Sequence, residues 1–152
     1  MVIDPETFVK RVRAGESLAG LDLTEADPFI LDLGGLDLRD ADLSRAELPE
    51  ATGSREWAVR LTDTTRRARR RVRVRGADLR GARLDRILGS RGDFRGAVLV
   101  GASLRSADLR EANFELADVK GADFSGSNLE DARFHGAQSD ESTVWPDGFR
   151  PV

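Results

Sequence analysis

The chain keeps time at five residues. A small residue, a polar residue and a Leu or Phe recur in that order: Ala77-Asp78-Leu79, Ala107-Asp108-Leu109, Ala112-Asn113-Phe114, Ala122-Asp123-Phe124 and Ser127-Asn128-Leu129. A period of five is neither the 3.6 of an amphipathic helix nor the 2 of a half-buried strand. Self-similarity at a fixed period marks a stack of repeats in which each unit is buried only by its neighbours.

The phase can be followed along most of the sequence. In a second module the large apolar slot holds Leu79, Leu84, Phe94, Leu99, Leu104, Leu109, Phe114, Val119, Phe124, Leu129 and Phe134, with Gly89 as the one gap. In a first module it holds Leu18, Leu23, Leu33, Leu38, Leu43 and Leu48, interrupted at Pro28. The two modules are one residue out of phase, so a slip or insertion lies between about Thr52 and Val72.

The recurring A-[D/N]-L-x-x motif, over roughly residues 16–139, resembles the pentapeptide-repeat proteins. The resemblance implies an all-β solenoid, a right-handed quadrilateral β-helix with four pentapeptides per coil. Phe94, Phe114 and Phe134 are spaced by 20, which agrees with that coil length, although Phe124 also carries the aromatic out of that spacing. In such a coil the Leu or Phe points inward, and burying one contributes roughly 1.5–3 kcal/mol. The residue two places earlier faces inward at a corner that admits only a small side chain. Asp78, Asp93, Asp108, Asp118 and Asp123 stand just before the apolar centre, where a short polar side chain can hydrogen-bond the turn backbone. Stacked at the roughly 4.8 Å strand spacing, six or so coils make a rod on the order of 30 Å long.

A single domain over residues 1–152 is expected, since the repeat uses nearly the whole chain. It divides into an N-terminal helical cap (1–16), the first module (17–53), a basic degenerate coil or loop (54–73), the second module (74–139) and a C-terminal cap (140–152). Asp4 suits a helix N-cap with Pro5 at the first position and Gly15 past the end. Phe8, Val9 and Val12 would share the face that covers the first coil. Trp145 and Phe149, where the repeat breaks, read as the lid on the last coil.

There is no cysteine, which excludes disulfides and thiolate metal sites. The N-terminus runs into a charged segment and no apolar span is visible, so a cytoplasmic, bacterial protein away from membranes is expected. Tyr is absent and His135 is the one histidine. Acid pairs of the glycosidase kind need a cleft that a rod does not offer. No catalytic, cofactor-binding or metal-ligating residue is therefore expected, and the chain does not read as an enzyme.

The net charge of −3 conceals an asymmetry. Residues 55–75 hold nine Arg and two acidic residues, a balance of +7, and the remainder carries −10. Arg66, Arg67, Arg69, Arg70, Arg71, Arg73 and Arg75 are thus the candidate interaction residues. Clustered Arg can contact an acidic protein, nucleic acid or phosphate, or the rod's own carboxylates. A protein partner ranks ahead of nucleic acid.

Some proteins of the resembling family mimic DNA and protect bacterial DNA gyrase from inhibitors, which is the alternative to a non-enzymatic scaffold for protein–protein interaction. Mimicry needs a continuous negative face. The stacked outward columns Arg95–Glu115–His135, Ser90–Arg110–Glu130 and Asp85–Arg105–Ser125 are mixed in sign and read instead as ladders between coils.

Overall fold

The computed structural model describes residues 3–23, 35–39, 41–43 and 74–151. Pro28, Leu33 and Leu48 of the first module's phase lie outside these residues, as does the 54–73 segment.

The N-terminal cap is the helix α1, Pro5–Ala14. Asp4 sits in extended conformation and its carboxylate accepts from the Thr7 N–H at 2.9 Å, satisfying one orphan donor of the first turn. The helix stops at Gly15, in the left-handed region at φ 67°, and the Glu16 N–H reaches back to the Arg11 carbonyl. Phe8 is fully buried, with Val9 and Val12 packed against the same core. Just before the helix, the Ile3 N–H donates to the Asp22 carbonyl and opens the stack.

From there the chain winds as a four-sided solenoid. Parallel bridges join residues 20 apart at every fifth position: Asp78 to Val98, Arg83 to Ser103, Leu88 to Asp108 and Asp93 to Asn113, then one coil further along each side. Four ladders and a 20-residue coil follow. The longest ladder among the described residues runs Asp22, Asp42, Arg83, Ser103, Asp123, Val144, five rungs in all.

Each pentapeptide accounts for its backbone donors. In the repeat around Leu79, the Leu79 N–H donates up to Val98 and the Gly81 N–H up to Val100. The Asp78 N–H donates down to Leu36, and the Ala82 N–H closes the corner onto the Leu79 carbonyl. The fifth donor, the Arg80 N–H, goes to the Asp78 carboxylate. The Asp or Asn before the apolar centre therefore completes the set, as it does at Asp93, Asp108, Asn113, Asp118, Asp123 and Asn128. No donor of such a repeat is left for water to satisfy.

Each described corner from Gly76 to Gly136 holds a residue near φ +60°, the requirement of a type II turn at its third position. Glycine fills many of these, but Arg86, Arg91, Ser106, Glu111, Leu116 and Asp131 fill the rest at φ 56–60°. The stack imposes the turn even where the residue resists it.

Inside, the apolar slots form columns. Phe94, Phe114 and Phe134 lie face to face at 4.6 and 4.8 Å, with ring planes within 13° and 3°. That is the coil spacing itself. Phe124 belongs to a different side and meets Phe114 and Phe134 edge-on at 5.7 and 5.9 Å, so it extends the aromatic core instead of competing for the column. The gap at Gly89 is not empty. A Cβ there would stand 2.8 Å from Leu109 Cδ2, and one at Gly92 would stand 2.6 Å from the Phe94 ring. Ile87, in the corner slot elsewhere given to Ala, is fully buried and supplies the missing volume.

The last coil carries one extra residue, since Asp123 pairs with Val144 and not with residue 143. This shift brings Trp145 onto Phe124, stacked at 5.1 Å, and Phe149 against Phe134 at 5.6 Å. Both rings close the C-terminal end of the core, where the sequence placed a lid.

The junction of the modules is visible in its flanks. Asp37 pairs with Asp78 and Asp42 with Arg83, 41 residues apart where other rungs join residues 20 or 21 apart. Leu38 and Leu43 donate directly to Asp78 and Arg83 at 2.8 Å. The one-residue phase slip thus corresponds to 21 residues of additional chain between Leu43 and Val74.

Two substitutions test this interior. Phe114→Ala removes the middle ring of the column and is expected to cost roughly 3–5 kcal/mol in denaturant unfolding, whereas Val100→Ser on an outward slot changes the midpoint little. Gly89→Leu restores the repeat motif in sequence yet is expected to destabilise by about 1–3 kcal/mol, because Leu109 and Phe94 already occupy the space. A stabilised Gly89→Leu protein would show that the column at this level is loosely filled.

Candidate functional site

Two residues flanking one inward side chain stand on the same outer surface, so an Asp before the apolar centre and a cation after it become neighbours. In Asp78-Leu79-Arg80, Asp93-Phe94-Arg95 and Asp108-Leu109-Arg110 the guanidinium closes a fork on the carboxylate. The Nε–Oδ1 distances are 2.8–2.9 Å and the Nη2–Oδ2 distances 2.5–2.6 Å. Asp37 and Arg39 form the same fork in the first module, and Lys120 a looser pair with Asp118 at 3.5 Å. Such planar, two-point pairs are the stronger form of ion pair, though at half-exposed sites each contributes little by itself.

The expected ladders between coils are present in part. Arg105 reaches down to Asp85 at 3.2 Å, and Arg91 pairs with Glu111 one coil above at 2.9 Å. Arg95 and Arg110 instead bind within their own repeats, where the Nε and Nη2 groups meet both carboxylate oxygens at once. The repeated Asp-x-Arg triplet is the sequence signal for this.

The pairing sets the proton affinity of these groups. The guanidiniums of Arg80, Arg95 and Arg110 hold Asp78, Asp93 and Asp108 below the usual carboxylate range. Burial pushes Asp85 up, but the Ser103 hydroxyl and the Arg105 guanidinium outweigh it and the net direction is down. Among the described residues, no group of three or more His, Asp or Glu stands together to hold a metal ion. No described helix is long and apolar enough to cross a membrane.

Of the candidate interaction residues, Arg66, Arg67, Arg69, Arg70, Arg71 and Arg73 lie outside the described residues. Arg75 is exposed on the side that carries Arg95, Glu115 and His135 above it, and its carbonyl accepts from the Gly35 N–H at 3.0 Å. His135 is exposed at the top of that column and Glu115 is half-buried. A shallow cleft of about 270 Å³ opens beside them, lined by Glu115, Ala132, Arg133, Phe134, His135, Phe149 and Arg150.

Stacked parallel rungs, a 20-residue coil and a five-residue slot code define a four-sided β-solenoid built from pentapeptides. Residues 70–138 match the family model described as pentapeptide repeats, in eight copies. Residues 70–138, the second module, thus carry the repeats of the pentapeptide-repeat family. Among solved structures it is similar to HetL, a pentapeptide repeat protein involved in heterocyst differentiation regulation from the cyanobacterium Nostoc sp. strain PCC 7120. The identity is 28%, over 89% of this chain and 51% of that one, with a TM-score of 0.45. A second pentapeptide repeat protein from Nostoc PCC 7120 is 21% identical over 97% of this chain and 93% of its own, with a TM-score of 0.35. QnrB1, a plasmid-mediated fluoroquinolone resistance protein, is 18% identical over 93% of this chain and 63% of its own, at a TM-score of 0.29. The chain spans about half the length of HetL. No curated protein matches it.

The depressed aspartate values carry a pH dependence. A carboxylate whose folded pKa lies below its unfolded value of about 3.9 contributes stability above that value and loses it as the pH falls through the folded one. The unfolding midpoint is therefore expected to be flat with respect to these groups from about pH 7 down to 5 and to fall below about pH 4. An Asp78→Asn, Asp93→Asn, Asp108→Asn protein is expected to show a shallower acid limb in the same measurement.

Proposed function

We propose that this protein is a non-enzymatic, cytoplasmic scaffold whose right-handed quadrilateral coil presents rigid flat sides and one basic girdle to a protein partner. The observation that carries the reading is the closed electrostatics of the solenoid. Asp78, Asp85, Asp93 and Asp108, carboxylates of the kind a hydrolase would need free, are engaged by guanidiniums of the same or the adjacent coil. The girdle arginines 66, 67, 69, 70, 71, 73 and 75 fall mostly in the stretch holding the 21 additional residues, where a +7 balance stands against an acidic rod. An acidic protein surface would approach there first.

The DNA-mimic reading, with gyrase as the partner, asks for unpaired negative charge in a continuous array. The forked Asp–Arg pairs neutralise the aspartates that would form it on the described coils. Purified gyrase is accordingly expected to supercoil DNA unchanged at micromolar concentrations of this protein, with and without a quinolone. Clear protection or inhibition would replace the scaffold reading with mimicry. For the girdle, affinity capture from native lysate is the test. A protein with Arg66, Arg67, Arg69 and Arg70 replaced by Gln is expected to fold, to capture the partner more weakly and to lose much of the salt dependence. Capture that is unchanged in the folded variant would move the interface to the flat sides of the coil.

A further inference from the structure

Most cations of the described second module are committed: Arg80, Arg83, Arg91, Arg95, Arg105, Arg110 and Lys120 each lie against a carboxylate, whereas Arg75 and Arg86 have no ion-pair partner among the described residues. At the C-terminal end the pattern changes. Arg133 and Arg150 have no ion-pair partner among the described residues, and both line the cleft with exposed His135. Its remaining charged wall, Glu115, stands one coil above Arg95, which feels its charge. The floor is apolar: Phe134, and Phe149 with its ring centre 5.6 Å away.

A second departure lies at the rim. Leu116 holds φ 60° in a corner column that is otherwise Gly76, Gly96 and Gly136, and its surface is 71% exposed. A bulky apolar residue in the left-handed region is costly, and exposure returns nothing for it within the fold. Its N–H donates to the His135 carbonyl at 3.1 Å, and its side chain leans over Gly136, where a Cβ would be 2.9 Å from Leu116 Cδ2. The leucine thus places an exposed apolar side chain beside Gly136, next in sequence to the cleft's His135.

We infer that this cleft docks an acidic segment of a protein partner, with one aromatic or aliphatic side chain on Phe134 and Phe149 and flanking carboxylates on Arg133 and Arg150. The cleft is shallow, and its volume of about 270 Å³ has room for one anchoring side chain. The sign of its free charges selects acidic flanks. The inference rests on the scaffold reading and names the chemistry of one of its contacts.

Trp145 reports on the cleft, because its ring lies 5.1 Å from Phe134 and 5.5 Å from Phe149. The chain has two tryptophans, so Trp57→Phe leaves Trp145 as the single fluorophore. In that background, the blocked peptide Asp-Glu-Phe-Asp-Glu is expected to change the fluorescence saturably, and Lys-Arg-Phe-Lys-Arg is not. Arg133→Ala with Arg150→Ala is expected to weaken binding at least tenfold. Leu116→Gly is expected to weaken it about threefold without lowering the unfolding midpoint, which separates docking from a structural role. Equal response to both peptides, or unchanged affinity in the double variant, overturns the inference. So does a wild-type dimer in sedimentation that the double variant dissociates and the acidic peptide does not, since the occupant is then a second copy. Lysate capture equal for wild type and double variant, without peptide binding, removes the cleft and leaves the scaffold reading. Peptide binding without any captured partner removes the scaffold reading and leaves the cleft.

Discussion

The backbone donors of the pentapeptide are the constraint from which the rest of the structure follows. Two N–H groups bond the coil above, one bonds the coil below and one closes the corner, as the repeat around Leu79 shows. The fifth has no backbone partner within reach, and a buried or half-buried donor left alone costs on the order of 1–3 kcal/mol. A short carboxylate or amide two residues earlier meets it, which is why Asp or Asn recurs before the apolar centre. The same geometry places a left-handed residue at nearly all of the described corners and a small one at most inner bends.

That local requirement shapes the outer surface. Once the aspartate is held by the backbone, a cation two residues on the same surface closes onto it. The net −10 of the sequence outside residues 55–75 therefore overstates the negative field that the described coils present. Charge is settled locally, repeat by repeat. Among the cations left without an ion pair on the described residues, Arg133 and Arg150 stand out because they line one cleft.

Departures from the repeat fall into two kinds. Gly89 with Ile87, and the extra residue before Trp145, are compensated within the fold: one exchanges large and small slots, the other brings an aromatic ring onto the open end of the core. Leu116 has no such internal return. In a repeat protein, stability is a sum over neighbouring coils, and uncompensated irregularities are where selection for something other than stability is most visible.

The sequence by itself determined the period, the inward slots and both caps. Phe8, Leu79, Phe114 and Phe134 are buried as the phase requires, because a five-residue pattern admits only one register in which every large apolar residue is shielded. The placement of Phe124 on its own side, the exchange at Gly89 and Ile87, and the partners of Arg95 and Arg110 were decided only in three dimensions. Each depends on distances between side chains on different coils or across the narrow interior, and a linear period carries no information about those. The cleft at Arg133, Phe149 and Arg150 is of the same kind: one extra residue in the last coil brings together groups that the repeat alone keeps in separate columns.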